Sequence, residues 1–174
     1  MRFRIACCAV LLGAFCRDGA AASWRLSAGP TVDDGTAVEV SRRSPDWEIA
    51  LGYIGEQRVL VRYLTLICPY EGAAPDACTT SVRRAHEPVD PYAYLSVQRR
   101  FEFRQDARLR PVIGLGLVGQ SDTNEYVSSP VNFSFSLGLA LGDRAALEWR
   151  HFSNAGIEGP NLGQDTILLR WALR

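Results

Sequence analysis

Val131-Asn132-Phe133-Ser134-Phe135-Ser136-Leu137-Gly138-Leu139-Ala140-Leu141 alternates a large apolar residue with a small or polar one along its whole length. A period of two is the signature of a β-strand, because successive side chains leave opposite faces. One face of this strand is hydrocarbon and the other is serine, asparagine, glycine and alanine. Arg108 to Gly119 repeats the pattern more loosely, with Leu109, Ile113, Leu115 and Leu117 against Gly114 and Gly116. The last segment does so too, with Ile167, Leu169, Trp171 and Leu173 alternating with Thr166, Leu168, Arg170 and Ala172. Trp24 to Gly29, Thr36 to Arg42, Asp46 to about Ile67, Tyr92 to Phe103 and Arg144 to Ser153 are further strand candidates.

The connections between these strands fall into two classes. Short links occur at Ser44-Pro45, Arg104 to Ala107 and Gly142-Asp143, and long links at Cys68 to Pro88, Gln120 to Pro130 and Asn154 to Gln164. They alternate along the chain. Membrane-spanning barrels have this asymmetry, with short periplasmic turns, longer outward loops and an even strand count. A soluble barrel or sandwich also alternates, with its apolar face inward. The small, polar minority face and the loop asymmetry favour the membrane form. The expected fold is therefore all-β, an eight-stranded antiparallel transmembrane β-barrel of up-and-down topology. Eight strands result if Asp46 to Ile67 is one long strand rising above the membrane; a turn at Gly55-Glu56-Gln57 would give nine.

The N-terminus places Arg2 and Arg4 before an apolar run from Ile5 to Cys16, followed by small residues up to Ala22. This is the layout of a secretory signal peptide, so residues 1–22 are expected to be removed and 23–174 to form one domain. The apolar run is shorter than the roughly 20 residues a helical span requires. Phe15 ahead of Cys16 argues against a lipoprotein signal, which takes a small residue there. Three of the five cysteines lie in the signal segment. Cys68 and Cys78, exported to an oxidising compartment, are expected to pair and close a loop. They have no nearby His and lack a zinc-site pattern, so no metal is expected. All 19 cationic side chains are arginine and the formal net charge is zero. Without a basic excess, nucleic acid is not an expected partner.

Chemistry concentrates in His151-Phe152-Ser153-Asn154-Ala155-Gly156, followed by Pro160-Asn161 and Gly163-Gln164-Asp165. His151 and Ser153 are two apart and share the parity of Ala145, Leu147 and Trp149, the apolar face. Asp165 shares the parity of Ile167, Leu169 and Trp171 on the following strand. A nucleophile, a base and a carboxylate would thus face lipid, where polar groups are expensive and mark function. Serine needs an imidazole to take its proton and a third group to hold the ring. A bare His-x-Ser would be read as a pair of rim residues; the longer string is far more specific.

That string resembles the lipid A deacylase family of Gram-negative outer membranes, the PagL type, in His151, Ser153, Asn154, Ala155, Gly156, Pro160, Asn161, Gly163 and Asp165. The resemblance implies an eight-stranded outer-membrane barrel with its active site on the outer wall. It implies His151 as base, Ser153 as nucleophile and a carboxylate 14 residues after the His, here Asp165, where the family example has Glu. It also implies the reaction, release of an ester-linked 3-hydroxyacyl chain from the 3-position of lipid A, without cofactor or metal. Asn154, through its side chain or the local backbone, is the first candidate oxyanion donor and Gly156 the second. Asn161 could instead only shape the loop. The implied partners are lipopolysaccharide and the outer membrane itself; a homodimer stays open. Arg83 and Arg84 read equally as contacts to lipopolysaccharide phosphates and as loop charge, and His86 as a solvated loop residue. Two other functions compete: a noncatalytic structural or adhesive barrel, and another outer-membrane lipid hydrolase such as the phospholipase with a His-Ser-Asn centre. The latter needs roughly 12 strands, more than the 152 residues left after removing 22 from 174 supply.

Overall fold

The computed structural model describes residues 23–32, 34–68, 78–104, 106–124, 126–157 and 162–173. Residues 1–22, expected to be a signal peptide, and the motif residues Pro160 and Asn161 lie outside the described residues. The described residues form ten strands: β1 (Ser23–Pro30), β2 (Thr36–Arg43), β3 (Trp47–Ile54), β4 (Gln57–Ile67), β5 (Thr79–Val89), β6 (Tyr92–Glu102), β7 (Leu109–Gln120), β8 (Val131–Leu141), β9 (Ala145–Ser153) and β10 (Gln164–Leu173). Eight of them close an antiparallel barrel in the order β1-β10-β9-β8-β7-β6-β3-β2, with β2 returning to β1. The other two, β4 and β5, form a separate hairpin.

The barrel is apolar outside and polar inside. In β8 Phe133, Leu137, Leu139 and Leu141 are exposed while Asn132, Ser134 and Ser136 are buried. The lumen holds Glu39, Glu48 and Glu148 with Arg100, Arg150 and Arg170, all but completely buried. Arg150 pairs with all three glutamates, as does Arg170, and Arg100 pairs with Glu148. Buried charges are tolerated when paired and hydrogen-bonded, and here three of each sign balance. A soluble barrel would reverse this arrangement, so the fold is that of an outer-membrane barrel.

The single long strand expected over Asp46 to Ile67 is corrected by the structure. The chain breaks at Gly55-Glu56, β3 stays in the barrel, and β4 leaves it to pair with β5. Part of the expected long link Cys68 to Pro88 is therefore strand. The break also reverses the pleat: Leu51 and Tyr53 face out in β3, whereas Gln57 and Val59 at odd positions of β4 are buried. Cys68 and Cys78 are disulfide-bonded beyond the hairpin's ladder, which ends at the Ile67–Thr79 pair.

The hairpin's base folds over the barrel mouth. Val59 and Val89 join Ile54, Tyr92, Tyr126, Phe152 and Leu168 among the members of one buried cluster. Below it Gln57 Nε2 donates to Gln164 Oε1 at 2.9 Å, tying the hairpin to the start of β10 across the mouth. This end of the barrel is where β9 finishes and β10 begins.

Candidate active site

His151 and Asp165 are placed by the β9–β10 register, in which they stand directly opposite each other. Directly opposed residues in an antiparallel ladder have their Cβ atoms about 4.5–5.5 Å apart, close enough for their side chains to meet. His151 Nδ1 lies 2.9 Å from Asp165 Oδ1, and both side chains are about one-third exposed. A carboxylate only accepts, so Nδ1 is the donor in this bond, and in the neutral imidazole Nε2 then keeps its lone pair. That is the tautomer a general base needs.

Ser153 follows two residues on, opposite Phe133 of β8, whose ring is exposed on the outer wall. Phe152 between them is buried toward the interior. The three groups thus share the outer face. Ser153 Oγ accepts the N–H of Ala155 at 3.1 Å. Among the described residues no hydrogen bond joins Ser153 to His151.

Beyond Ser153 the chain turns sharply. Ala155 (φ +56°) and Gly156 (φ +75°) both adopt left-handed conformations. For a residue with a Cβ such a conformation costs on the order of 1 kcal/mol and is held by its surroundings. Asn154 supplies much of that hold. It is buried, its Oδ1 accepts Gly156 N–H at 2.8 Å, and its Nδ2 donates to Ser128 Oγ at 2.9 Å. Both expected oxyanion donors therefore have acceptors here, Asn154 in Ser128 and Gly156 in Asn154. Of the local backbone amides that the sequence reading left open beside Asn154, it is the Ala155 N–H that contacts Ser153 Oγ. Nothing in residue type could flag it; only the turn aims it there.

Gly163 closes the site from the other side. It has φ +75°, and a Cβ placed on it would collide with Cε1 of His151 and stand 3.1 Å from Nε2. Its N–H donates to the carbonyl of Tyr126 at 2.9 Å, so the connection between β7 and β8 supports both flanks, through Tyr126 and Ser128. Trp149, read from the sequence only as a marker of the apolar face, also touches the site. Its Nε1 donates to Asp165 Oδ1 at 2.9 Å, and its ring stacks beside the imidazole, centroids 5.9 Å apart and planes at 27°.

Two clefts lie elsewhere. One is lined by Arg108, Leu109, Leu141, Gly142, Asp143 and Arg144, the other by residues that include Pro45, Asp46 and Phe103. Both belong to the short-turn end, remote from His151, Ser153 and Asp165, and neither contains a nucleophile–base pair. Among the described residues no group of three His, Cys, Asp or Glu side chains could hold a metal ion. His86 is exposed on the hairpin, as are Arg83 and Arg84.

Comparison with known families places the same stretch. Over residues 91–174 the chain matches the lipid A 3-O-deacylase (PagL) family. The matched segment includes His151, Ser153 and Asp165 and ends at the C-terminus. The structure is similar to the crystal structure of the outer membrane enzyme PagL, with a TM-score of 0.51 and 20% identity, covering 87% of this chain and 99% of that one. At that identity the likeness speaks for the fold. It is also similar to a de novo designed transmembrane β-barrel (TM-score 0.45, 12% identity, 90% of this chain and 98% of that one). A third similar structure is the Yersinia pestis outer membrane protein Ail (TM-score 0.41, 11% identity, 88% and 100%). No curated protein sequence matches. The inside-out barrel is that of an outer-membrane protein, and its C-terminal part, residues 91–174, is similar to the PagL family.

Proposed function

We propose that the protein is a serine esterase that removes an ester-linked 3-hydroxyacyl chain from the 3-position of lipid A, with Ser153 as nucleophile, His151 as general base and Asp165 as orienting carboxylate. The observation that carries this reading is the cross-strand His151–Asp165 hydrogen bond, with Ser153 on the same outward face, inside the segment that matches the PagL family.

Ser153 Oγ attacks the ester carbonyl carbon while its proton passes to His151 Nε2. The Oγ that accepts from Ala155 N–H still has its own proton to give, and catalytic hydrogen bonds often tighten only when substrate is bound. Asp165 holds the imidazole and stabilises the imidazolium that forms. His151 then delivers the proton to the departing sugar oxygen, and water, activated by the same imidazole, hydrolyses the acyl-serine to free 3-hydroxy acid. The developing oxyanion needs preorganised donors. Asn154 and Gly156 serve if they exchange their present acceptors for it, and the Ala155 N–H already lies beside Oγ. Exposed Phe133, Leu115 and Leu117 form an apolar wall next to Ser153 on which an acyl chain can lie.

Mass spectrometry of lipid A from a Gram-negative host with and without the protein tests the reading. The expected result is loss of one 3-hydroxyacyl group in the presence of the protein and not of its Ser153→Ala variant. Losses of about 10³-fold or more in turnover are expected for Ser153→Ala and His151→Ala. Unchanged lipid A in cells that hold the folded wild-type barrel would return the chain to the noncatalytic barrels.

A further inference from the structure

We infer that Trp149 is a positioning residue for the triad, acting through Asp165 and, by stacking, on the imidazole. This rests on the reading of the site as catalytic. An aromatic residue on the outer wall of a barrel is ordinarily explained by the membrane interface, where Trp and Tyr are enriched. Trp149 does more than that placement requires. Its indole N–H is spent on Asp165 Oδ1, the same oxygen that accepts from His151 Nδ1, each at 2.9 Å.

The register explains how it reaches. Trp149 pairs with Ile167, so Asp165 is its diagonal neighbour, about 7–8 Å away at the backbone and within range of an indole. Asp165 has one methylene and an open setting, and could turn its carboxylate away from the ring. Two donors converging on one oxygen fix the carboxylate's rotation and satisfy it on a wall built for hydrocarbon. Stacking on the imidazole at 27° then limits rotation of His151 about its own bonds. Phe135, opposite His151 in the register, packs edge-on against Trp149 with centroids 5.7 Å apart and holds the indole in turn.

Trp149→Phe separates the two roles, because it keeps an aromatic ring at the interface and removes the N–H. The expected kinetic result is a fall in kcat of about 10-fold or more with KM little changed, the pattern of a lost orienting contact. Asp165→Glu should weaken the coupling, since the longer side chain reaches the imidazole from a different height. The fall caused by Trp149→Phe should therefore be smaller in that background, read as a double-mutant cycle.

A second readout does not depend on any substrate. In protein labelled with ¹⁵N-histidine, the Nδ1 proton of His151 should give a downfield resonance, assigned with His86→Gln, that moves or broadens in Trp149→Phe while the barrel stays folded. An unchanged resonance together with wild-type kcat would overturn the inference. Failure of the wild-type protein to deacylate lipid A would strike the proposed function instead, and the resonance would still decide the role of Trp149.

Discussion

At the scale of single residues, the site depends as much on what is absent from Gly163 as on what His151 offers. The imidazole lies where a Cβ on Gly163 would have to be. Gly163→Ala therefore has two penalties, a left-handed backbone with a Cβ and a displaced ring. Gly142 has a similar φ of +58° with open space around it, so Gly142→Ala meets only the first. Rates measured for the pair should diverge: Gly163→Ala is expected to lose roughly 10² in kcat, since misplacement of a catalytic group by about 1 Å is enough for that. Gly142→Ala should stay within a few-fold of wild type. Equal rates in both variants would show that the close approach of Gly163 to the ring has no catalytic weight. The shared outer face of His151, Ser153 and Asp165 was legible from parity, because a strand's period of two fixes it, while the roles expected of them came from the resemblance. Trp149 and Ala155 were not legible in this way. The first looks like any other member of the apolar stripe until the register makes it diagonal to Asp165, and the second matters through a backbone amide that every residue type but proline possesses.

At the scale of elements, the strands that read most clearly are those with one large and one small face, such as β8 and β10. The break after β3 was harder to see. Apolar residues continue from Leu51 and Tyr53 into Val59, Leu60 and Val61, so hydropathy runs on while the pleat reverses at Gly55-Glu56. The signal that was available is a change of texture, from alternation to apolar residues at both parities. β5 was hidden by Arg83, Arg84, His86 and Pro88, residues more typical of a loop, and it is strand because β4 pairs with it along its whole length. The Cys68–Cys78 bond crosslinks this hairpin at its tip, away from every barrel ladder. Closing a loop with a sequence separation of 10 constrains the unfolded hairpin by about 2–3 kcal/mol in a chain-entropy account. That stabilisation is local. The double variant Cys68→Ser/Cys78→Ser should keep the heat-modifiable barrel and its activity, while limited proteolysis becomes faster between residues 57 and 89. Loss of the barrel on reduction would mean that the hairpin is needed to fold it.

At the scale of the whole molecule, the interior offers substrate no path. The lumen is filled by the Glu39, Glu48 and Glu148 network with its three arginines, and the mouth above it by Val59, Val89, Tyr126 and Phe152. Removing one partner from such a network would leave a buried charge unpaired, a penalty of about 3–5 kcal/mol, so the interior resists opening. Approach must then be from outside the wall. β1 and β9 run in the same direction, and β9 ends with His151 and Ser153 at the mouth that carries the hairpin and the longer connections. From there β10 descends for 10 residues, which at about 3.3 Å each and a tilt near 45° span roughly 23 Å, close to the height of an outer-membrane apolar band. Asp165 at its start is therefore expected at the upper boundary of that band, level with the other two groups, with the side of the longer loops expected to be external. Spin labels at single cysteines in the Cys68→Ser/Cys78→Ser background, in lipid nanodiscs, would test the placement through collision with oxygen, which concentrates in the bilayer, and with a water-soluble nickel complex. A label at Ser153→Cys should favour oxygen. One at Ile157→Cys, in the exposed turn above, should favour nickel, and one at Ser134→Cys, in the lumen, should meet little of either. If the label at 153 behaves like the one at 134, or is reached chiefly by nickel, substrate does not come to Ser153 from the membrane.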